Sequence, residues 1–437
     1  MLSRFGLKNS KKKLLFSGNM GGNNNPYTPS LYFPFAIKNS LTAQAPDNLS
    51  LTFTRASSQT YFDSTGTLQT ATTNVAAFDY DPSTLAPLGL SLWEARTNSL
   101  RNNTMVGAAA GTPGTNPTNW AVSSAGGSLT TVTIVGTGTE SGISYIDYRM
   151  IFSGAATGAV QYEQASQIVA ALSDVWTNSA YVRLVGGSLT NMQAQLITAE
   201  ATAAGAFLAA TTTNFTPTSA GLATQRTTAS RTLNQATVAR VYGAVFFTAS
   251  GAADVTLRIG LPQLELGAFA TPVISTTTTA ATRAAPVCST TNLGWYNATE
   301  GTFVVSTTAG AVVTANAPII QIDDGSVNNR ALIFQNTIAL AQGVNVRSGA
   351  ALQWAGGAGA FVVGTAVKTA LAIKSNDSST STAGSAVATQ STLTMPASLT
   401  TLRIGMDTVV SYRNGWIASL TYYPLRLPNA TLQALST

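Results

Sequence analysis

Few side chains in this sequence are equipped for chemistry. The 437 residues hold 17 Asp and Glu and no histidine. Without histidine neither a Ser-His-Asp nor a Cys-His relay can be assembled, and the usual zinc sites lose their main ligand. One cysteine, Cys288, excludes multi-cysteine clusters and an intrachain disulfide, and it reads as a buried apolar residue. No glycine-rich phosphate loop stands between a strand and a helix. Glycoside cleavage needs two carboxyls about 5–10 Å apart. The available pairs are Asp323 with Asp324 and Glu163 with Asp174. Asp323-Asp324-Gly325 reads first as a turn between strands. The sequence therefore points away from an enzyme and calls for no cofactor. Asp323, Asp324 and Asp377 are too sparse to call for calcium or another metal.

Binding chemistry is better represented. Aromatic faces stack on the C–H surfaces of sugars while amides and carboxylates hold the hydroxyls. Trp295, Trp354, Asn376, Asp377, Tyr412 and Trp416 form a candidate glycan-binding set near the C-terminus, with Trp120 and Trp176 further upstream. Tryptophan is large and mostly buried, so core packing competes at every one of these positions.

The elements that would position them are strands. Charged residues are only 9% of the chain, against about 25% in ordinary domains. Thr, Ser, Ala, Gly and Asn take their place, and Thr and Val favour pleated strands. Alternating runs separated by turn residues recur, among them 129–135, 145–152, 239–247, 255–259, 302–305, 319–322, 331–334 and 415–423. Residues 164–172 look briefly helical, and 428–435 look like a terminal helical turn behind Pro428. Leu-Arg-Ile-Gly occurs at 257–260 and 402–405, and Thr-Arg-Ala at 54–56 and 282–284. These echoes fit two sandwiches whose strands are built alike.

The net charge is +6, concentrated at one end: Arg4, Lys8, Lys11, Lys12 and Lys13 precede a Gly/Asn tract at 18–25. The folded body is thus not expected to bind nucleic acid. Tyr27, Tyr32, Phe33 and Phe35 follow among prolines. They could bury themselves on a partner or fold back on their own domain. No run reaches the roughly 18 apolar residues of a membrane span. Leu14-Leu15-Phe16 is shorter than a signal-peptide core of about 7–15 residues, so cytoplasmic synthesis and no membrane insertion are expected.

Several motifs occur in order: Phe53-Thr54-Arg55-Ala56-Ser57, Tyr61-Phe62-Asp63, Phe78-Asp79-Tyr80-Asp81-Pro82, Leu88-Gly89-Leu90 and Trp93-Glu94-Ala95-Arg96-Thr97-Asn98. Together they resemble a module of tailed-bacteriophage virion proteins of the fibre and spike type. Residues 262–271, followed by Thr282-Arg283-Ala284, resemble the last strand of those proteins' carbohydrate-binding-module-like jelly roll. Residues 295–302, 401–405, 414–417 and 422–424 resemble the opening and close of their concanavalin A-like (laminin-G-like) sandwich.

The expected fold is all-β, with tandem β-sandwich or jelly-roll domains behind an extended N-terminal anchoring arm. Residues 1–50 would be the basic and aromatic arm, with Lys11, Lys12, Lys13, Tyr27, Tyr32, Phe33 and Phe35 as virion anchors. Residues 51–118 would be a short-strand connecting module, 119–280 the carbohydrate-binding-module-like sandwich and 281–437 the concanavalin A-like one. The resemblance implies a virion structural protein, a tail fibre or spike displaying lectin-like sandwiches to host glycan. A capsid decoration or head-fibre protein is the alternative, and a polysaccharide depolymerase a third reading. Its expected partners are other phage structural proteins (tail, baseplate or capsid), further copies of itself as a homo-oligomer such as a trimer, and a host surface glycan.

Overall fold

The computed structural model describes residues 27–163, 166–313, 315–336, 341–409 and 411–437. Lys11, Lys12 and Lys13 lie outside the described residues. The chain opens with β1 (Leu31–Phe33), a single helical turn α1 (Phe35–Lys38), β2 (Thr52–Thr54), β3 (Gln59–Phe62), β4 (Leu68–Ala71), β5 (Phe78–Tyr80), β6 (Pro87–Leu92) and β7 (Arg96–Asn98). Then come β8 (Ala121–Ala125), β9 (Leu129–Glu140), β10 (Ile143–Phe152), β11 (Ala156–Tyr162), β12 (Ile168–Val169) and β13 (Val175–Gly187). This central stretch ends with β14 (Met192–Ala201), β15 (Phe207–Phe215), β16 (Arg226–Thr232), β17 (Arg240–Ala249) and β18 (Ala253–Leu266). The last part holds β19 (Ala281–Arg283), β20 (Val287–Thr290), β21 (Glu300–Ala309), β22 (Ala317–Asp323), β23 (Arg330–Gln335) and β24 (Ala341–Ser348). It closes with β25 (Ala351–Ala360), β26 (Ala366–Lys374), β27 (Ser378–Thr382), β28 (Ala388–Gln390), β29 (Thr401–Ile404), β30 (Gly415–Tyr423) and α2 (Asn429–Leu435). The protein is all-β, as its Thr- and Val-rich alternation requires.

Two sandwiches result. In the first, the sheet β16-β13-β18-β10-β9 packs on β15-β14-β17-β11-β8, with β12 added beside β17. Alternation sets the faces: Ile146, Tyr148, Met150 and Phe152 of β10 enter the core, leaving Tyr145, Asp147 and Arg149 on the opposite side. In the second, β28-β27-β26-β21-β30-β6-β5 packs on β2-β20-β29-β22-β23-β24-β25. Its core gathers Phe53, Leu90, Cys288, Trp295, Phe303, Ile333, Trp354, Ile404 and Tyr422.

The chain order differs from the expected succession of arm, connector and two sandwiches. Strand β30 bonds β6 along Gly415–Ile417 and β1 along Leu420–Tyr422, while β2 lies beside β20. Residues 27–54 and 78–92 therefore belong to the second sandwich, and the first sandwich is inserted within it. Phe33 and Phe35, expected as anchors, are fully buried and stack on each other at 5.4 Å. Tyr32 is half-buried and its N–H donates to Ala45 O at 2.7 Å. Tyr27 packs beside the cluster of Tyr423, Leu427 and Leu432. Of the segment at 164–172 expected to be helical, the described part contains β12, because Ile168 and Val169 extend the sheet beside β17.

The neck between the sandwiches is a ribbon, β7 with β19, pairing Asn98 with Ala281 and Arg96 with Arg283. Beside it the β3–β4 hairpin bridges the two bodies: Leu68 N–H donates to Ser141 O at 2.8 Å, and Phe62 and Leu68 pack on Ile143, Tyr181 and Leu222. Gly142 permits this approach, since at its φ of +77° a Cβ would stand 2.2 Å from Leu68 O. Both arginines of the Thr-Arg-Ala echo are buried here. Arg55 donates to the carbonyls of Ser57, Ala71, Thr72 and Val75, and Arg283 to Thr271 Oγ1 and to the carbonyls of Pro272 and Glu94. Burial lowers both guanidinium pKa values to about 10.

Candidate functional site

The expected glycan-binding residues are not brought to one surface. Trp295 lies in the second core, its ring against Tyr296, Phe303 and Tyr422 and its Nε1 donating to Asn292 O at 2.8 Å. Trp354 sits in the same core from β25. Neither can stack on a sugar, because both rings are buried in that core. Trp120 and Trp176 are core residues of the first sandwich. Trp416 is half-buried on the other side of β30, edge-on to Trp93 at 5.2 Å, with Nε1 donating to Asp79. Asn376 and Asp377 are exposed at the turn between β26 and β27, where Asp377 pairs with Arg426 at 2.9 Å. Tyr412 is half-buried and forms an isolated antiparallel bridge with Met406.

The acids are committed elsewhere. Glu163 is fully buried and pairs with Arg101 at 2.6 Å, while Asp174 accepts the Ala171 N–H at 2.8 Å. Asp323 is fully buried and holds Arg403 at 2.8 Å, and Asp324 closes the following turn through Ser326 and Asn329. Among the described residues no group of three or more Cys, Asp or Glu side chains could hold a metal ion.

A cleft of about 420 Å³ opens on the outward side of the second sandwich, lined by Asn316, Val327, Arg330, Leu332, Arg347, Asp407, Val409 and Ser411. Alternation builds it. Ala331 and Ile333 of β23 and Val344 and Val346 of β24 fill the core, so Arg330, Leu332, Asn345 and Arg347 face outward. Arg330 and Arg347 are directly opposite on these two strands. Arg330 Nε donates to Asn345 Oδ1 at 3.1 Å, and Arg347 Nη1 to Ala350 O at 3.0 Å. Asp407 Oδ1 accepts the backbone N–H groups of Val409 and Ser411, at 3.0 and 2.9 Å. Burial lowers the pKa of Arg330; Asp407 opposes this shift and neighbouring Arg347 adds to it. The arginine remains cationic at neutral pH. The arrangement offers two guanidinium forks, amide and hydroxyl groups and an apolar floor, a combination suited to a polar ligand.

A second cleft, of about 370 Å³, lies between β8 and β9 at the edge of the first sandwich, among Asn116, Ser123, Ser124, Leu129 and Thr131. It carries hydroxyls and an amide but no charged side chain.

Arg330 and Arg347 are absent from the expected site residues. A usable signal was present: the two arginines are equidistant from the midpoint between β23 and β24, so antiparallel register places them opposite each other.

No protein-family model matches the chain, and no curated protein sequence matches it. Among solved structures it is similar to the carbohydrate-binding module CBM40 of the Ruminococcus gnavus IT-sialidase. That match has 16% identity and a TM-score of 0.29, over 32% of this chain and 85% of that one. It is also similar to the Trypanosoma rangeli sialidase in complex with the inhibitor DANA, at 11% identity and a TM-score of 0.26, over 73% of this chain and 69% of that one. A third similarity is to the tandem CBM22 domains of Paenibacillus barcinonensis Xyn10C, at 9% identity and a TM-score of 0.21, over 73% and 97% of the two chains. At these scores the fold is defined by the strand pairing of the chain itself.

Proposed function

We propose that the chain is a non-enzymatic structural component of a tailed-phage particle, mounted through its N-terminal segment and displaying its sandwiches for attachment to a host-surface glycan. Supporting this reading most directly is how that segment enters the body. Strand β1 is hydrogen-bonded along β30 and Phe33 and Phe35 are core, so a grip exerted by residues 1–26 would act on a braced body. The likeness of the junction motifs to virion proteins supports the phage origin. The commitment of Glu163 and Asp323 to arginines supports binding over glycoside cleavage.

Deletion of residues 1–26 in the producing phage tests the mounting. Particles lacking the protein, with folded protein free in the lysate, are expected; normal incorporation would overturn the reading. Copy number by quantitative mass spectrometry separates a tail fibre or spike, in which the chain would be a homo-oligomer such as a trimer, from a capsid decoration present in a large icosahedral set. Release of reducing sugar from host polysaccharide would replace the binding role by a depolymerase.

A further inference from the structure

Resting on the glycan-attachment reading above, we propose that the cleft on β23 and β24 binds the carboxylate of an acidic sugar between Arg330 and Arg347.

Like charges directly opposite on neighbouring strands repel. Several outward arginines elsewhere are neutralised, while Arg226 and Arg240 have neutral oxygens as acceptors. Arg258 is paired with Asp147 and Glu140, Arg149 with Asp254, Arg183 with Glu140 and Arg403 with Asp323. Among the described residues neither Arg330 nor Arg347 has such an ion pair. The carboxylate directly across from Arg330 on the other side is Asp323, but it is taken by Arg403 at 2.8 Å and by the Gly325 N–H at 2.8 Å. Asp407 lines the same cleft with Oδ1 engaged by its own backbone, and its charge offsets part of the burial of Arg330 without forming an ion pair. Arg330 meets only amide oxygens, Asn345 at 3.1 Å and Gln321 at 3.5 Å. The Nε of Arg347 is buried without a partner.

An anion placed between the two forks relieves the repulsion. A carboxylate matches the planar fork with two parallel hydrogen bonds. Leu332 beneath and Val327 and Val409 beside it suit the C–H face of a pyranose, and Asn316 and Ser411 can meet its hydroxyls. These apolar neighbours favour a sugar acid over a bare inorganic anion.

Calorimetry on the full chain tests this with tetragalacturonate, neutral galactotetraose and inorganic phosphate as probes. Tetragalacturonate is expected to bind, and Arg330→Gln or Arg347→Gln should each weaken it by about tenfold or more, the worth of one charged hydrogen bond. Galactotetraose and phosphate should bind at least about tenfold more weakly than the uronate on the same grounds. Melting temperatures of both variants should stay level or rise, because each removes half of a repelling pair. Arg347→Lys, which keeps the charge but loses the fork, should fall between wild type and Arg347→Gln. Unchanged uronate affinity in the variants, equal competition by phosphate, or no uronate binding by the wild type overturns the assignment. Attachment of the wild-type and doubly substituted proteins to host cells separates the two levels. Equal attachment sinks only the arginine site, whereas no attachment by the wild type sinks the adhesive reading beneath it.

Discussion

The indole N–H of Trp416 donates to Asp79 at 2.9 Å, tying the last strand of the second sandwich to a strand near the start of the chain. Asp79 Oδ1 also accepts the Phe62 N–H at 2.7 Å and the Tyr80 N–H at 3.1 Å. The network continues through Ser91, which receives Trp93 Nε1 at 2.9 Å and Gln59 Nε2 at 3.0 Å. Gln59 and Phe62 belong to the hairpin that bridges the sandwiches. This buried cluster therefore fixes the angle at which the inserted domain is held, and it occupies the polar edge of Trp416 that a sugar would need.

Burial raises the Asp79 pKa from 3.8 to about 6, against the pull of its hydrogen bonds from Trp416, Phe62, Tyr80 and Ser91. Between these two values the folded state binds more proton than the unfolded one. This group's contribution is therefore greatest below pH 3.8 and is lost as pH rises through about 6. Asp63, Asp81, Glu140, Asp254 and Asp324 have lowered pKa values and act in the opposite sense. The Asp79 effect is isolated by comparing urea unfolding of wild type and Asp79→Asn from pH 4 to 7.5. Relative to the variant, wild type should lose stability across that range by an amount on the order of 3 kcal/mol at most. A pH-independent difference would contradict the raised value.

Arg283 is a second joint. Its guanidinium spans Thr271 and Pro272 of the inserted body and Glu94 of the other, close to the buried carboxylate of Glu265. Arg283→Met leaves the buried carbonyls of Pro272 and Glu94 without their donor, at a cost of about 1–3 kcal/mol. Calorimetric unfolding should change from one coupled transition to two, with the second sandwich melting first.

Much of the strand content could be read from alternation, as in β10, where inward Ile, Tyr, Met and Phe leave Asp147 and Arg149 outside. The turn at Asp323-Asp324-Gly325 and the closing helix α2 follow equally from local chemistry. The Leu-Arg-Ile-Gly echo has a physical meaning too: in both copies Leu and Ile enter a core, and the arginine between them, Arg258 or Arg403, meets an acid on the outer face. Partner choice between distant strands was not legible. Periodicity tells which side of a strand is buried but not what covers it, so nothing local to Leu90 announces Ile417 as its neighbour. For the same reason Trp295 and Trp354 could stand as candidate ligand platforms, although core packing was the first expectation for each. Arg330 and Arg347 went unnoticed because a cross-strand pair is a property of register, and neither residue stands in a motif.

Trp295→Phe and Trp354→Phe should each destabilise the second sandwich by about 1–3 kcal/mol, as overlapping core substitutions do. In the folded fraction glycan affinity should not change, because neither indole is accessible. Thermal melts paired with binding isotherms check both halves, and a selective loss of affinity at full stability would return these residues to a binding surface.

The placement of the N-terminal segment gives a sharp pair of truncations. Leu31, Phe33 and Phe35 are fully buried in the second core, and burying each such side chain contributes about 1.5–3 kcal/mol. Loss of all three approaches the whole stability of a typical domain, about 5–15 kcal/mol. Removing β1 also exposes the hydrogen-bonding edge of β30 along Leu420–Tyr422 and invites strand pairing between copies. Deletion of residues 1–26 should therefore leave the melting temperature and the circular dichroism of the body unchanged. Deletion of residues 1–38 should yield aggregated protein or a molecule in which only the inserted sandwich melts cooperatively. Equal stability of the two truncations would show that β1 is dispensable to the second sandwich and return Phe33 and Phe35 to the anchoring role.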